Sequence, residues 1–108
     1  MTNNEVKAFL RQYRTCMAKA QRLKADMEIF TASAKSIKGE FDECINRSAK
    51  IEKLISSHKN YLEREILIRK YIYGDTTEEI AERLNYSPRH IQRIGDRAVQ
   101  NFGNSLEM

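Results

Sequence analysis

Residues 76–102 read TTEEIAERLNYSPRHIQRIGDRAVQNF, and the local signals in this stretch decide the fold. Thr76 can cap a helix start, and Glu79, three residues on, can bond back to it, which is the capping-box pattern. Ile80, Ala81 and Leu84 follow at helical spacing. Asn85 tolerates the left-handed conformation that ends a short helix. Ser87 offers a second cap, and Pro88 takes the first helical position, where its missing N–H costs nothing. Ile91, Ile94 and Ala98 then form one inward stripe. The stretch predicts a short helix, a tight turn and a second helix.

That order is the layout of a helix-turn-helix, whose second helix enters the major groove of DNA. Ala81 supplies the small residue needed where the two helices approach. Ile80, Leu84, Tyr86, Ile91 and Ile94 supply apolar contacts before, within and after the turn. Arg89, Gln92, Arg93 and Asp96 remain on the outward face.

The longer run ILIRKYIYGDTTEEIAERLNYSPRHIQRIGDRAVQNF, residues 66–102, resembles region 4 of bacterial sigma-70 factors in its helix–Gly–helix–turn–helix order. It is more similar still to small phage and prophage regulators of the ArpU/RinA type, which join such a module to an N-terminal helical segment. Tyr71, Gly74, Glu79, Ile80, Ala81, Tyr86, Ser87, Arg89, His90 and Arg93 carry the resemblance. Thr77 stands where that group often has Trp or Tyr. The resemblance covers residues 61–102 well and the first 57 residues loosely. It implies sequence-specific DNA binding and phage transcription control.

Composition sets bounds around this reading. The chain has 108 residues, 31% charged and 41% hydrophobic, with one Pro, four Gly and no Trp. That mixture suits a helical globular protein of one small domain with a helical extension. The net charge of +4 supports nucleic-acid binding only weakly, and its distribution is more informative. Residues 1–57 hold 11 Lys/Arg against 7 Asp/Glu, whereas residues 58–108 hold 8 against 8. Within that neutral half, Arg89, Arg93 and Arg97 face Asp96 alone across Ser87–Gln100, so positive charge gathers on the second helix of the motif. Cys16 and Cys44 show no disulfide framework and no metal spacing. His58 and His90 have no partner pattern for zinc or catalysis. No phosphate-cradling glycine loop, nucleophile motif or paired carboxylates point to an enzyme, and no cofactor is expected. The start of the chain lacks an apolar secretory core, and the longest run of aliphatics is Ile66–Ile68, so a cytoplasmic location is expected.

Upstream, Asn3 or Asn4 is the expected first cap. Val6, Phe9, Tyr13, Cys16, Ala20, Leu23, Met27 and Phe30 then recur at steps of three and four, a coiled-coil-like seam that Leu10 and Met17 widen. Lys7, Arg11, Arg14, Lys19, Arg22 and Lys24 lie between the seam positions, and this basic face can also meet phosphate backbone. The first turn is expected near Ser36–Gly39, around the first Gly of the chain. A second helix follows with Phe41, Cys44, Ile45, Ile51, Leu54 and Ile55 inward. Asn60 with Glu63 is either a capping pair or part of a continuing helix. A third helix carries Tyr61, Leu62, Ile66, Leu67, Ile68, Tyr71 and Ile72, and Gly74 ends it. The expected architecture is all-α: residues 1–57 a helical hairpin serving oligomerisation, residues 58–103 the helix-turn-helix, residues 104–108 a tail.

With a turn near residue 37, the first helix outruns the second. Phe9, Leu10 and Tyr13 must then pack on the C-terminal module or on a second chain, and a homodimer or higher homo-oligomer follows from the latter. The same turn sets Cys16 about 21 Å along the helix from the point opposite Cys44, beyond the 7 Å or so that a disulfide spans. Both thiols are therefore expected free.

The expected function is a transcription regulator that binds double-stranded DNA through Ser87, Arg89, His90, Gln92, Arg93, Asp96 and Arg97. Arg forks onto guanine and Gln pairs with adenine. Arg97, one turn further on, suits phosphate. Asp96 either accepts from cytosine or orients Arg93. The alternatives are a small terminase-like DNA-packaging subunit and an interaction module docking on RNA polymerase. A complete sigma factor is not expected, because no upstream aromatic cluster is present to hold melted bases.

Overall fold

The computed structural model describes residues 1–107, and among them every regular element is helical, so the protein is all-α. Helix α1 spans Asn3–Ile29. Its cap is Thr2, not Asn3 or Asn4: the Thr2 hydroxyl accepts from the Glu5 N–H at 3.2 Å, and the Glu5 carboxylate accepts from the Thr2 N–H at 3.1 Å. The chain then turns through Phe30 and a single 3-10 turn, Thr31–Ser33, into α2, Ala34–Ser56. This turn lies several residues earlier than the sequence suggests. Gly39 sits inside α2 with no atom near the position its Cβ would take. A glycine at an exposed helical position costs only about 1 kcal/mol, which tertiary packing of α2 on α1 outweighs.

Moving the turn corrects three expectations. Helix α2 becomes 23 residues long against 27 for α1, so the two helices match more nearly than expected. The seam of α1 ends at Leu23, because Phe30 lies in the turn and is 56% exposed beside an exposed Ile29. Cys16 and Cys44 are both free and buried. They are not far apart, however: they share one apolar cluster with Ala20 and Leu23 and line one cavity of about 370 Å³.

Ser57 bonds back to the Lys53 carbonyl at 2.9 Å and ends α2. Asn60 caps α3, Tyr61–Leu67, through the Glu63 N–H at 3.0 Å. The helix breaks there and does not continue from α2. Helix α3 runs straight into a π-helical turn, Ile68–Ile72, and Gly74 closes it with a φ of 77°. Helix α4, Thr77–Leu84, begins with the expected capping box between Thr76 and Glu79 and ends on Asn85 in the left-handed region, φ 61°. Helix α5 spans Pro88–Leu106 with Ser87 as its cap. It extends past Gly103, so residues 104–106 form its last turn where a tail was expected; Met108 lies outside the described residues.

One core joins the two halves of the chain. Val6 and Leu10 of α1 are buried with Ile51 and Ile55 of α2, Leu67 of α3, Tyr71 of the π turn, and Ala98, Val99 and Phe102 of α5. Phe9 stacks on Phe102 with ring centroids 6.4 Å apart. Of the two expected partners for the stripe on α1, the C-terminal module and a second chain, it is the C-terminal module, through α5 of the same chain, that covers Val6, Phe9 and Leu10. A second cluster, Ile66, Ile80, Ala81, Ile91 and Ile94, holds α4 against α5 beside α3. Tyr86 does not join it. It is 42% exposed and its ring packs on His90 at 5.0 Å. Tyr61 is also exposed, with the Arg64 guanidinium 5.4 Å from its ring centre.

The Val6 side chain of α1 packs on Gly103 of α5, where an added Cβ would come within 2.7 Å of Val6 Cγ2. Overpacking of this kind costs about 1–3 kcal/mol. Gly103→Ala should lower the unfolding free energy by that amount in a denaturant titration. Val6→Ala should relieve the clash, so the double variant should lose less than the sum of the two single losses. Strict additivity would show that the Val6 side chain does not meet Gly103.

Candidate functional site

Helix α5 carries two faces with different duties. Ile91, Ile94, Ala98, Val99 and Phe102 are buried. Arg89, Gln92, Arg93, Asp96 and Arg97 are exposed on the other side. The helix owes its start to Ser87, whose Oγ accepts from the His90 N–H at 3.1 Å, and to Pro88 at the first helical position. The turn before it owes its shape to Asn85, after which the Tyr86 N–H donates to the Ala81 carbonyl at 3.0 Å. The first turn of α5 is therefore stiff and open to solvent.

Of the seven residues singled out by sequence, Arg89, Gln92, Arg93 and Asp96 line one shallow depression on this face. Ser87 is spent on its cap, though its side chain stays exposed. His90 is half-buried beside Tyr86 and faces away from the depression. Arg97 is exposed one turn on. Asp96 does not hold Arg93. It accepts from Gln92 Nε2 at 3.1 Å and lies 3.9 Å from Lys7 Nζ. Among the described residues, Arg89, Arg93 and Arg97 have no carboxylate within ion-pair distance. Three guanidinium groups thus stand unpaired on one exposed helix face.

Lys7 is the residue that sequence reasoning did not attach to this face. Its place between seam positions of α1 marked it as outward, but only the packing of α1 on α5 brings it to Asp96. Lys70, on the π turn, belongs to the same neighbourhood. Burial, and then the charges of Lys7 and Arg11, hold its ammonium below the usual lysine range.

On α4, the Glu79 carboxylate closes the capping box by accepting from the Thr76 N–H at 3.1 Å. That bond, and then the Thr76 hydroxyl, hold its carboxyl below the usual range. Asp75 sits between Arg69 Nη1 at 3.7 Å and Arg83 Nε at 3.8 Å and ties the π turn to α4. Arg69 also reaches Glu65 at 3.0 Å.

A second polar cluster runs from the interior to the surface, with His58 and Glu63 buried and Asn101 exposed. His58 donates from Nε2 to the Glu63 carboxylate at 2.8 Å, and Asn101 Nδ2 donates to both oxygens of that carboxylate at 3.1 and 3.2 Å. Arg64 donates to the His58 carbonyl at 2.9 Å. His58 and Glu63 are both buried, and the His58 ring packs on Phe102 at 6.3 Å. The residues satisfy one another, so the cluster reads as a tie between the loop after α2, the start of α3 and the middle of α5. From sequence, Glu63 is either part of a capping pair with Asn60 or part of a continuing helix, and its bond to Asn101, 38 positions away, is out of reach of local reading.

Among the described residues, no three His, Cys, Asp or Glu side chains gather as metal ligands, and no helix is long and apolar enough to cross a membrane. The chain matches no family model, no curated protein and no solved structure.

Removing Glu63 should be costly because it leaves the buried His58 donor without an acceptor, at about 1–3 kcal/mol, whereas the exposed Asn101 amide can turn to water. Glu63→Ala should lower the melting temperature clearly, while Glu65→Ala, which removes only a partly exposed ion pair, should cost at most about 1 kcal/mol. Equal small losses in thermal unfolding would contradict the tie.

Proposed function

We propose that this protein is a sequence-specific DNA-binding regulator of transcription that reads the major groove with α5. The observation that carries the reading is the set of unpaired guanidinium groups on α5. Arg89 and Arg93 stand one turn apart on an exposed face, with Gln92 between them and, among the described residues, no carboxylate within ion-pair distance. A helix fits the major groove, about 12 Å wide, and an Arg fork matches guanine O6 and N7 there. The stiff start of α5 favours such a role, since side chains that read bases must be held by a rigid frame. Asp96 restrains Gln92, so Gln92 reaches adenine only after giving up that bond. The resemblance to phage and prophage regulators of the ArpU/RinA type and to sigma-70 region 4 points the same way and sets transcription control above DNA packaging. A single chain suffices for one reading helix; a symmetric site would need two copies.

The test begins with fragments retained by the purified protein from a genomic pool at physiological salt, which define a cognate site. On that site Arg89→Ala and Arg93→Ala should each cost about 1–3 kcal/mol and relax preference at one base pair. Arg97→Ala should weaken cognate and scrambled DNA alike and make the salt slope shallower by about one. Ile91→Ala and Ile94→Ala should lower stability before they change base preference. If Arg89→Ala and Arg93→Ala leave cognate affinity and preference untouched, α5 is not the reader, and docking on another protein such as RNA polymerase becomes the leading account.

A further inference from the structure

Beside α5, the basic face of α1 meets the π turn. Arg11, Arg14, Lys70, Tyr71, Gly74 and Asp75 line an open cavity of about 410 Å³. The Arg14 guanidinium lies against Gly74, which has a φ of 77° and whose missing side chain leaves it room: a Cβ at Gly74 would fall on the guanidinium. Lys70 Nζ stands 5.8 Å from the centre of the Tyr71 ring, which is buried in the main core. Asp75 is the acid in this lining, and Arg69 and Arg83 already hold it. Towards α5 the next groups are Lys7 and Asp96, and Asp96 is shared with Gln92. The cations in and beside the cavity therefore exceed the acids available to them. The lowered Lys70 ammonium, with burial, Lys7 and Arg11 among its causes, reports the same crowding.

We propose that this cavity is a phosphate site for the DNA strand that borders the groove read by α5, with Arg11, Arg14 and Lys70 as its cations. The inference rests on the DNA-reading role of α5 and adds a second contact to it. The geometry favours a backbone phosphate over a base. Packed helices lie about 8–10 Å apart, and the major groove is about 12 Å wide. With α5 in the groove, its neighbours α1 and the π turn lie where the flanking strand passes. Two guanidinium groups offer forked donors to phosphate oxygens, and the ammonium adds a point charge. Asp96 shares its depression with Arg93 and pairs with Lys7, and Lys70 lies within electrostatic reach of Lys7, Asp96 and Arg11, so the cavity adjoins the outward face of α5. A phosphate here also relieves the repulsion among Lys7, Arg11 and Lys70.

The experiment is a salt titration of DNA binding by the full chain and by Arg11→Gln, Arg14→Gln and Lys70→Gln, on cognate and scrambled duplexes. Each variant should make the slope of log affinity against log salt shallower by about one and weaken both duplexes by the same factor, with base preference unchanged. Arg11→Lys should keep the wild-type slope. Lys35→Gln and Lys38→Gln, exposed near the start of α2, should also keep it. Equal slope changes in those two variants would reduce the effect to net charge and overturn the site. Unchanged slopes in all three cavity variants, while Arg93→Ala still loses base preference, would overturn the phosphate site and leave α5 as reader. No binding of the wild-type chain to any duplex would overturn both.

Discussion

The packing of α1 against α5 is the contact on which the other features depend. Gly103 leaves room for the Val6 side chain, and Phe102 fills the space between Phe9 and the His58 ring. Without this contact the apolar stripe at the start of α1 would face water, and α5 would lose the support behind its outward side chains. Burying a side chain such as Phe102 or Leu10 is worth about 1.5–3 kcal/mol relative to exposure. Several such residues in one cluster outweigh any surface ion pair in the molecule. The first and last helices are thereby parts of a single core.

Polar groups refine the arrangement that apolar burial creates. Glu63 satisfies donors from the loop after α2 and from α5, so three segments share one buried carboxylate. Buried polar clusters of this kind are expensive unless complete, and His58, Glu63 and Asn101 satisfy one another. Asp75 performs a looser version of the same task at the surface, between the π turn and α4. Both acids are held by partners from other segments, whereas the arginines on the outer face of α5 have no carboxylate within ion-pair distance among the described residues. The contrast leaves the positive charge of the C-terminal half directed outward.

The π turn between α3 and α4 has a consequence for that charge. A π turn shifts the side chains that follow it relative to an ordinary helix. Here Tyr71 goes into the core and Lys70 lies over its ring, next to Arg11. Gly74 then ends the segment in a left-handed conformation and at the same time makes room for Arg14. A glycine read from sequence as a simple helix stop thus also seats a cation from another helix.

The sequence by itself determined the features that depend on near neighbours. The Thr76–Glu79 box, the left-handed Asn85, the Ser87 cap with Pro88, and the Gly74 stop are all satisfied within a few residues, and each stands where local chemistry put it. The inward stripe of Ile91, Ile94 and Ala98, and the outward set around Arg89 and Arg93, follow from helical period alone. Periodicity tells that a face is covered and never what covers it. Only the tertiary structure decided that α5 covers the stripe of α1, that Lys7 reaches Asp96, and that Glu63 serves His58 and Asn101. The turn before α2 lies away from the local signal for a related reason. Gly39 is a weak local breaker, and the long contact between α1 and α2 outweighs its cost, so the chain turns at Phe30–Ser33, where the two apolar faces come into register and bring Cys16 and Cys44 into one cluster.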